Sequence, residues 1–398
     1  MVSTIAVDLL IGVGQFLIHP LVYISVVIMF LIGYRRVKRE RYDFHTRVYD
    51  VVDDIIQPLL PGVLVGLVLS AVTLALGLVV PFEWIVLVAL IHIGISLTCQ
   101  VRWLSPAYTI GTSLIILMLL PFIHTDQATI SQWVIALEEV SLIHVGILLG
   151  VLLLAEGVLI WKYGAKQTSP RLVLSRRGRY IGAHDAKRLW LVPCLLLVPG
   201  GAIPFLSWWP MIPIGGAEST VSLMFVPFLV GFQQWVSATL PQEMMNFVGK
   251  RVFALGLVIC AFAAVAMYVP VFVPLLVVAA ICGREALWVF HRIRADEKTS
   301  MFSEREQGIV ILGVIPGTTA EKMKLKVGEV ITKVNGIPVK TDLEFYEGLQ
   351  KNSAFCKLEV KDHAGEIRYA QAALYEGGHH QIGVLFVKED YPLQDSVV

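Results

Sequence analysis

The chain has 398 residues, of which 56% are hydrophobic and 16% are charged, and its formal net charge is +1. The apolar share exceeds the roughly 45–50% of soluble globular proteins and the mean hydropathy is +0.71, so the composition predicts an integral membrane protein. The small net charge gives no basic excess for a nucleic-acid partner, and we expect none.

The composition changes near residues 297–302. Apolar runs dominate before this point, and charged residues recur every few positions after it. The sequence therefore predicts a polytopic α-helical membrane domain at 1–298, followed by a small α+β domain at 299–398. The five cysteines show neither a CxxC pair nor a metal-ligand spacing to histidine, so we expect no disulfide framework, metal or cofactor.

A membrane-spanning helix needs about 20 mostly apolar residues. We predict nine such helices, with ten as the alternative, at 18–34, 59–80, 84–99, 107–123, 141–161, 190–206, 221–235, 252–268 and 272–290. The apolar segment 4–17 is short, and we predict a re-entrant or interfacial segment or an extension of the first helix. Pro20 predicts a break at that point.

The basic loops predict the orientation, because short loops rich in Lys and Arg lie on the cytoplasmic side. The loop "RRVKRERYDFHTRVYD" has six such residues and the loop 162–188 has eight, whereas "HTDQATISQWVIALEEV" and "SWWPMIPIGGAES" have none. The C-terminal domain is therefore predicted to be cytoplasmic. The basic loops also predict attraction to anionic lipid.

The C-terminal region has the pattern of a small β-rich domain. "GIVILGVIPG" at 308–317 is a β-rich run, and "VGEVITKVNG" alternates apolar and polar residues up to an Asn-Gly tight-turn signal. The stretches "TTAE" and "TDLE" both have the spacing of a helix capping box, which predicts two helices. "FCKLEVKD", "EIRYAQAAL" and "QIGVLFV" are predicted as further strands.

This region resembles PDZ domains, which bind extended peptide segments. The pattern "V.PGT.AEK..L..GEVI.KVNG" is similar to their core signature, and the resemblance covers 308–387. PDZ domains of this type usually have glycine where Lys324 stands. A left-handed conformation there would cost lysine roughly 1–2 kcal/mol, so we expect the short helix to end differently in this chain.

The resemblance implies β-augmentation, in which a guest strand adds to a sheet edge beside a helix. The "QIGVLFV" segment suggests a strand-permuted arrangement in which the peptide-binding loop is formed by Ile382, Gly383 and Val384. The candidate pocket residues on the second helix are Leu343, Tyr346 and Leu349. Two alternatives stay open: an edge strand without a pocket, and a helix face that only packs on the core.

Both ends of the chain resemble a second family. The opening "FLIHPLVYISVVIMFLIGYRRVKRERYDFHTRVYD", the "LSPAY" of 104–108 and the later "VNGIPVKT.LEFYE.LQ" are similar to MinJ-type cell-division topological determinants of Gram-positive rods. That resemblance implies a membrane adaptor at septa and poles, which links a DivIVA-like polar scaffold protein to a MinD-like septum inhibitor. Other septal proteins are implied as further partners.

Membrane spans with a PDZ module also describe intramembrane zinc proteases, whose HExxH helix supplies two histidine ligands and a glutamate base. The sequence has no HExxH, and the adjacent His379 and His380 diverge in a strand, so they do not face one metal. We therefore predict no enzyme. The protease alternative that remains is a regulatory PDZ protein controlling an intramembrane or membrane protease.

A transporter or sensor is the other alternative, because Glu156 falls inside the apolar run "LLLAEGVLIW". Ionisable residues in membrane spans are costly and often functional. The competing interpretation is a carboxylate that is hydrogen-bonded or paired across helices. Transporters are also expected to show interrupted helices in two matching halves, and no such repeat aligns in this sequence.

Overall fold

The structure is a computed structural model that describes residues 2–122, 128–175, 178–205, 209–210, 212, 220–297, 299–303, 305, 307–352, 354–373 and 382–387. These residues form a membrane region of helices with one long β-hairpin, followed by a strand-rich unit. We call the described residues from 299 onward the C-terminal module.

The helices of the membrane region are α1 (Val2–Ile18), α2 (Pro20–Phe44), α3 (Asp53–Leu76), α4 (Phe82–Leu97), α5 (Pro106–Leu119), α6 (Ala128–Glu138), α7 (Leu142–Tyr163), α8 (Pro241–Ala266) and α9 (Phe272–Glu297). Short 3₁₀ turns precede and follow α5 at Val101–Leu104 and Leu120–Phe122. Among the described residues, α2, α3, α7, α8 and α9 are long and apolar enough to cross a membrane.

The predicted break at Pro20 is confirmed. Pro20 is the first residue of α2, where its missing N–H costs no hydrogen bond, and His19 caps the helix by accepting from the Leu21 amide at 3.3 Å. The apolar segment before the break forms α1, a separate helix of 17 residues, rather than an extension of the first span.

Two of the nine predicted helical spans are wrong. The span predicted at 190–206 falls in β2 (Tyr180–Pro204) as far as residue 204, and the span at 221–235 falls in β3 (Thr220–Val236); the two strands are antiparallel. A shorter strand, β1 (Ser169–Leu174), pairs with the start of β2. Two other predicted spans correspond to α4 and α5, which are shorter than the five long helices.

The β2–β3 hairpin is buried on both faces. Trp190, Val192 and Phe228 belong to the largest apolar cluster, formed with α5, α7 and α8. The alternate side chains Leu191 and Leu229 pack on the opposite face, against α2 and α4. Because both faces are covered by helices, the strands need apolar residues at every position, as in a parallel sheet covered on both sides.

The outer edge of β2 lies against α3, whose small residues let the two backbones approach. A Cβ at Gly62 or Gly66 would overlap the Leu191 or Pro193 carbonyl oxygen. Farther along α3, the Thr73 hydroxyl donates to the Leu195 carbonyl at 2.7 Å. Since strand edges in a membrane must be satisfied within the protein, α3 supplies the partners that β2 needs on this side.

The C-terminal module contains a sheet with strand order β4-β6-β8-β9, a short β7 paired with β6, and a separate β5–β10 pair. Its elements are β4 (Ile309–Val310), β5 (Gly313–Val314), α10 (Thr319–Lys322), β6 (Val330–Val334), β7 (Ile337–Pro338), α11 (Asp342–Gln350), β8 (Phe355–Lys361), β9 (Ile367–Ala373) and β10 (Val384–Leu385). The described pairings are antiparallel.

Two local signals of the module are confirmed, and two expectations need correction. Thr318 does not form the predicted capping box: it precedes α10 without a side-chain cap bond, and its hydroxyl donates to the Ile315 carbonyl at 2.6 Å instead. Asn335 and Gly336 both have positive φ and join β6 to β7 in a tight turn, and Thr341 caps α11 by accepting from the Glu344 amide at 3.2 Å. The expectation that Lys324 would end α10 differently is wrong: its φ is +55°. Leu325 N–H bonds the Ala320 carbonyl at 3.1 Å, which completes a left-handed helix end.

The C-terminal module packs directly on the membrane region. The Phe302 side chain is fully buried, and its carbonyl accepts from the Gly182 amide of β2 at 2.8 Å. Around it lies an apolar cluster that joins Phe44 and Leu172 of the membrane region to Leu312 and Leu385 of the module. The module is therefore held against the end of α2 and the start of the hairpin.

Candidate peptide-binding site

The predicted peptide-binding loop leads into β10, whose one edge pairs with β5. The Leu312 and Ile315 amides donate to the Leu385 and Gly383 carbonyls, both at 2.8 Å. Since successive backbone groups of a strand point to opposite edges, the Val384 N–H and C=O point away from β5. This edge has the polarity and direction that an added strand requires.

Gly383 has a conformation that only glycine adopts easily. Its φ is +89°, and a Cβ there would overlap the Thr318 side chain at the start of α10. The neighbouring Ile382 carbonyl accepts from the Ala320 amide at 2.9 Å. The loop is therefore fixed against α10.

Side chains alternate along this segment. Val384 and Phe386 face the core of the C-terminal module, while Leu385 faces the apolar cluster shared with the membrane region. β10 is thus enclosed by α11 on one face and by the membrane region on the other.

The structure brings five of the six predicted site residues together. Ile382, Val384 and Leu349 are members of one buried cluster, Tyr346 packs on it, and Gly383 lies between the first two. Leu343 lies outside this cluster, and its side chain is 67% exposed. The use of these residues in peptide binding stays a prediction.

The side-chain pocket beside the β10 edge is filled. Ile382 and Leu349 are 1% and 0% exposed, and the Phe345 ring meets Phe386 edge-on at 4.9 Å between centroids. Tyr346 lies half-buried next to Phe345, and burial raises the pKa of its phenol. Among the described residues, no strand pairs with the outer edge of β10, whereas entry of a guest side chain into the pocket would require Tyr346 or Phe386 to move.

Sequence reasoning missed Phe386, although it lies in the quoted "QIGVLFV" segment. Its place two positions after Val384 puts it on the same strand face. The period-two pattern of that segment was the signal that would have found it.

A second polar site lies inside the membrane region, at the predicted Glu156. This carboxylate is fully buried and accepts from Arg284 of α9 at 2.9 and 3.1 Å and from the Ser105 hydroxyl at 2.6 Å. Glu156 is therefore paired across helices, as the competing sequence interpretation proposed. Arg284 was missed by sequence reasoning, although a charged Arg-Glu pair interrupts the apolar run of α9.

The "LSPAY" segment organises this polar site. Ser105 precedes α5 and reaches Glu156, and one turn later the Tyr108 hydroxyl donates to Glu285 at 2.7 Å. Arg102 binds the same Glu285 carboxylate at 3.0 Å, and its guanidinium lies 3.8 Å from the Trp288 ring centroid. The segment thus connects α5 to α7 and α9 through charged hydrogen bonds.

Comparison with known proteins agrees with this segment-level resemblance. The chain is 38% identical over 392 residues to the Cell division topological determinant MinJ of Bacillus subtilis (strain 168), covering 96% of each chain. It belongs to the MinJ family. A Probable cell division topological determinant MinJ from Lacticaseibacillus paracasei is 27% identical over 266 residues, covering 64% of this chain and 68% of that one. No family model and no solved structure matches the chain.

The described residues of this MinJ-family chain contain no group of three or more His, Cys, Asp or Glu side chains placed to hold a metal ion. His379 and His380 lie outside the described residues. Two buried histidines of the membrane region bond backbone carbonyls: His92 Nδ1 lies 2.8 Å from the Val88 oxygen and His144 Nδ1 lies 3.1 Å from the Val79 oxygen.

Proposed function

We propose that the chain is a membrane adaptor in division-site selection, which links a DivIVA-like polar scaffold protein to a MinD-type septum inhibitor through cytoplasmic contacts. The observation that carries this proposal is the 38% identity to the Bacillus subtilis determinant across 96% of both chains. A match over nearly the whole length includes the membrane region, the C-terminal module and their order.

The coarser part of this function follows from family membership. The chain is a multi-pass membrane protein of cell division, with five helices that are long and apolar enough to cross a membrane among its described residues. A role in division-site selection agrees with the name of the Bacillus subtilis relative, and we propose that this role is non-enzymatic.

We further propose a membrane domain at 1–298, a cytoplasmic domain at 299–398, and enrichment of the protein at septa and poles. The basic residues support this orientation, because the loops that carry them lie at the end of the membrane region on which the C-terminal module packs. The hairpin also supports it, since its two strands leave from and return to that same end.

The C-terminal module is proposed to be a PDZ-like peptide-binding domain. Support comes from the glycine loop at Gly383, from the β10 edge at Val384, and from α11 beside that edge. Backbone hydrogen bonds of an added strand would supply affinity, and the helix face would supply selectivity. Because the module is packed on the membrane region, a bound partner would be held close to the membrane surface.

The contacts of Glu156 favour the adaptor over a transporter or sensor. Both carboxylate oxygens are engaged, Oε1 by Arg284 and Oε2 by Ser105. A buried carboxylate that is fully satisfied by fixed partners serves as a structural link between helices. A protease-controlling role has no comparable support from the described residues.

The first test is live-cell fluorescence of the full-length protein in a rod-shaped host that lacks its own copy. We expect septal and polar enrichment, and we expect loss of the protein to give filaments or minicells. A uniform membrane signal with normal division would rule out the division-adaptor function.

A second test separates the peptide-binding edge from the rest of the chain. Leu343→Glu places a charge at the exposed start of α11, and Ile367→Glu places the same charge on the exposed β9. We expect the first variant to lose partner recruitment and the second to keep it. Equal behaviour of the two variants would show that partners bind elsewhere.

A further inference from the structure

A cavity of about 220 Å³ lies where α2, α3 and the three strands of the membrane region meet. It is large enough for several water molecules, each of which takes about 30 Å³. Six of its lining side chains are basic and two are acidic: Arg35, Arg36, Arg39, Arg171, Lys187 and Arg188 against Asp54 and Asp185. The cavity therefore has an excess of positive charge.

The two acidic side chains are already engaged by three of the arginines. Asp54 binds Arg36 at 2.8 Å and Arg188 at 3.3 Å, and Asp185 binds Arg39 at 2.7 Å. Glu40, which lies outside the cavity lining, is a second acidic partner of Arg36. These contacts fix one side of the cavity.

The other three basic residues of the cavity lining are not paired with Asp54 or Asp185 in a salt bridge. Within the described chain, Arg35, Arg171 and Lys187 form no ion pair; the Lys187 amine lies 3.4 Å from the Cys99 carbonyl. Burial, together with the positive charge of Arg39, lowers the pKa of Arg171, and the negative charges of Asp185 and Asp43 offset this only in part. Positive charges this close repel one another, and a bound anion would relieve that repulsion.

Two buried donors of the cavity lining, the Nε atoms of Arg39 and Arg171, have no partner in the described part of the chain. A buried donor without a partner costs free energy, so such atoms are explained when a ligand accepts from them. The Arg171 guanidinium is held 4.1 Å from the Trp235 ring centroid. Asp185 Oδ1 is likewise unpartnered, but this carboxylate is neutralised by Arg39.

The residues around the cavity are of the kinds expected at a membrane surface. Its wall includes Ile32, the last part of the apolar run of α2, and Arg35 follows one turn later. Tyr34 and Trp235 beside it are exposed, as aromatic side chains are at the interface between lipid and water. Basic pockets between membrane helices on the cytoplasmic side bind lipid headgroups.

We propose that this cavity is a binding site for a phosphate group, presented either by the headgroup of an anionic phospholipid or by soluble phosphate. Arginine is suited to this ligand because its planar donors bind two phosphate oxygens at once. The proposal does not rest on the adaptor function proposed above, since the cavity is lined by residues of the membrane region alone.

The test compares full-length proteins in zwitterionic nanodiscs to which phosphatidylglycerol is added. The cavity variant carries Arg35→Gln, Arg171→Gln and Lys187→Gln. The control variant carries Lys38→Gln, Arg41→Gln and Lys162→Gln, which remove the same charge from exposed positions at the same end of the membrane region. Native mass spectrometry counts retained lipids and gives their apparent affinity.

We expect the cavity variant to lose about a hundredfold in affinity for phosphatidylglycerol, because its three basic side chains would each donate charged hydrogen bonds to the phosphate inside the cavity, worth at least about fivefold apiece, which exposed basic side chains outside the cavity do not make. We expect the control variant to keep its retained lipid. Equal losses in the two variants, or equal retention of phosphatidylglycerol and phosphatidylcholine together with no binding of inorganic phosphate, would overturn the proposal.

Inorganic phosphate distinguishes the two sources. If millimolar phosphate displaces retained phosphatidylglycerol, the site binds the lipid through its phosphate; if phosphate binds and the lipid shows no preference, the source is soluble phosphate. Arg171→Lys guards against misfolding, because it keeps the charge and removes the planar donor pair. A folded Arg171→Lys protein with tenfold weaker phosphate or lipid binding supports the site, and unchanged binding opposes it.

Discussion

Replacing Arg284 by methionine tests the buried polar site of the membrane region. The change removes two charged hydrogen bonds from Glu156, at 2.9 and 3.1 Å, and leaves only the Ser105 hydroxyl. Breaking a buried ion pair on one side costs roughly 3–5 kcal/mol. Because one donor remains, we expect a loss near the lower limit, about 3 kcal/mol of unfolding free energy.

The measurement is equilibrium unfolding of the full-length protein in mixed micelles with increasing dodecyl sulfate, followed by far-UV circular dichroism. Arg292→Met is the matched control, since Arg292 lies exposed on the same helix and we expect a change within about 0.5 kcal/mol.

Adding Glu156→Gln to Arg284→Met removes the unpaired charge and should restore most of the lost stability, since the amide oxygen of the new side chain can still accept from the Ser105 hydroxyl. The reasoning is refuted if the double variant is as unstable as the single variant, or if Arg284→Met behaves like Arg292→Met.

Three further changes have defined outcomes in the same unfolding assay. Lys324→Gly relieves a φ of +55° and should add about 0.5–1 kcal/mol, whereas Lys324→Ala should add nothing. Gly66→Ala drives a Cβ into the Pro193 carbonyl and should cost about 1–3 kcal/mol, while Gly94→Ala, with open space around it, should cost nothing. His184 lies where β2 meets the C-terminal module, and burial lowers its pKa to about 4. Since the unfolded imidazole protonates near 6.5, its contribution is complete above pH 6.5 and is lost as pH falls toward 4, by up to about 3 kcal/mol; His184→Gln should abolish that slope.

The C-terminal module could be predicted from sequence because its signals are local. An Asn-Gly turn, alternating strands and a helix cap each act over a few residues, and the structure contains each of them. The sequence wrongly predicted that Lys324 would avoid the left-handed conformation. Lysine has a low propensity for that conformation, but tertiary contacts outweigh the propensity. The carbonyl of Lys324 accepts from Arg368 at 2.9 Å, and Arg368 in turn binds Glu329 at 2.5 Å.

The candidate site could be predicted only in part. The glycine loop was visible as an apolar-Gly-apolar triplet, but the filling of the pocket depends on Phe345 meeting Phe386 across 41 residues of chain. Likewise, Glu156 was visible as a charge in an apolar run, whereas its partner Arg284 lies two helices away in sequence. Pairings at such separations depend on how the elements pack together, and a local sequence pattern does not predict that packing.

The β2–β3 hairpin shows why hydropathy misassigned two spans. A strand covered by helices on both faces lacks polar alternation, so its apolar run is the same signal that a membrane helix gives. Pro193 and Pro227 argued against helices in these two segments, and the structure pairs the two prolines directly across the two strands. Such a hairpin is stable at membrane depth only if its edges are covered. Gly62 and Gly66 of α3 make that covering possible, because they let the helix approach the β2 backbone. Small residues are also ordinary in a lipid-facing helix, so the role of these glycines is visible only when helix and hairpin are interpreted together.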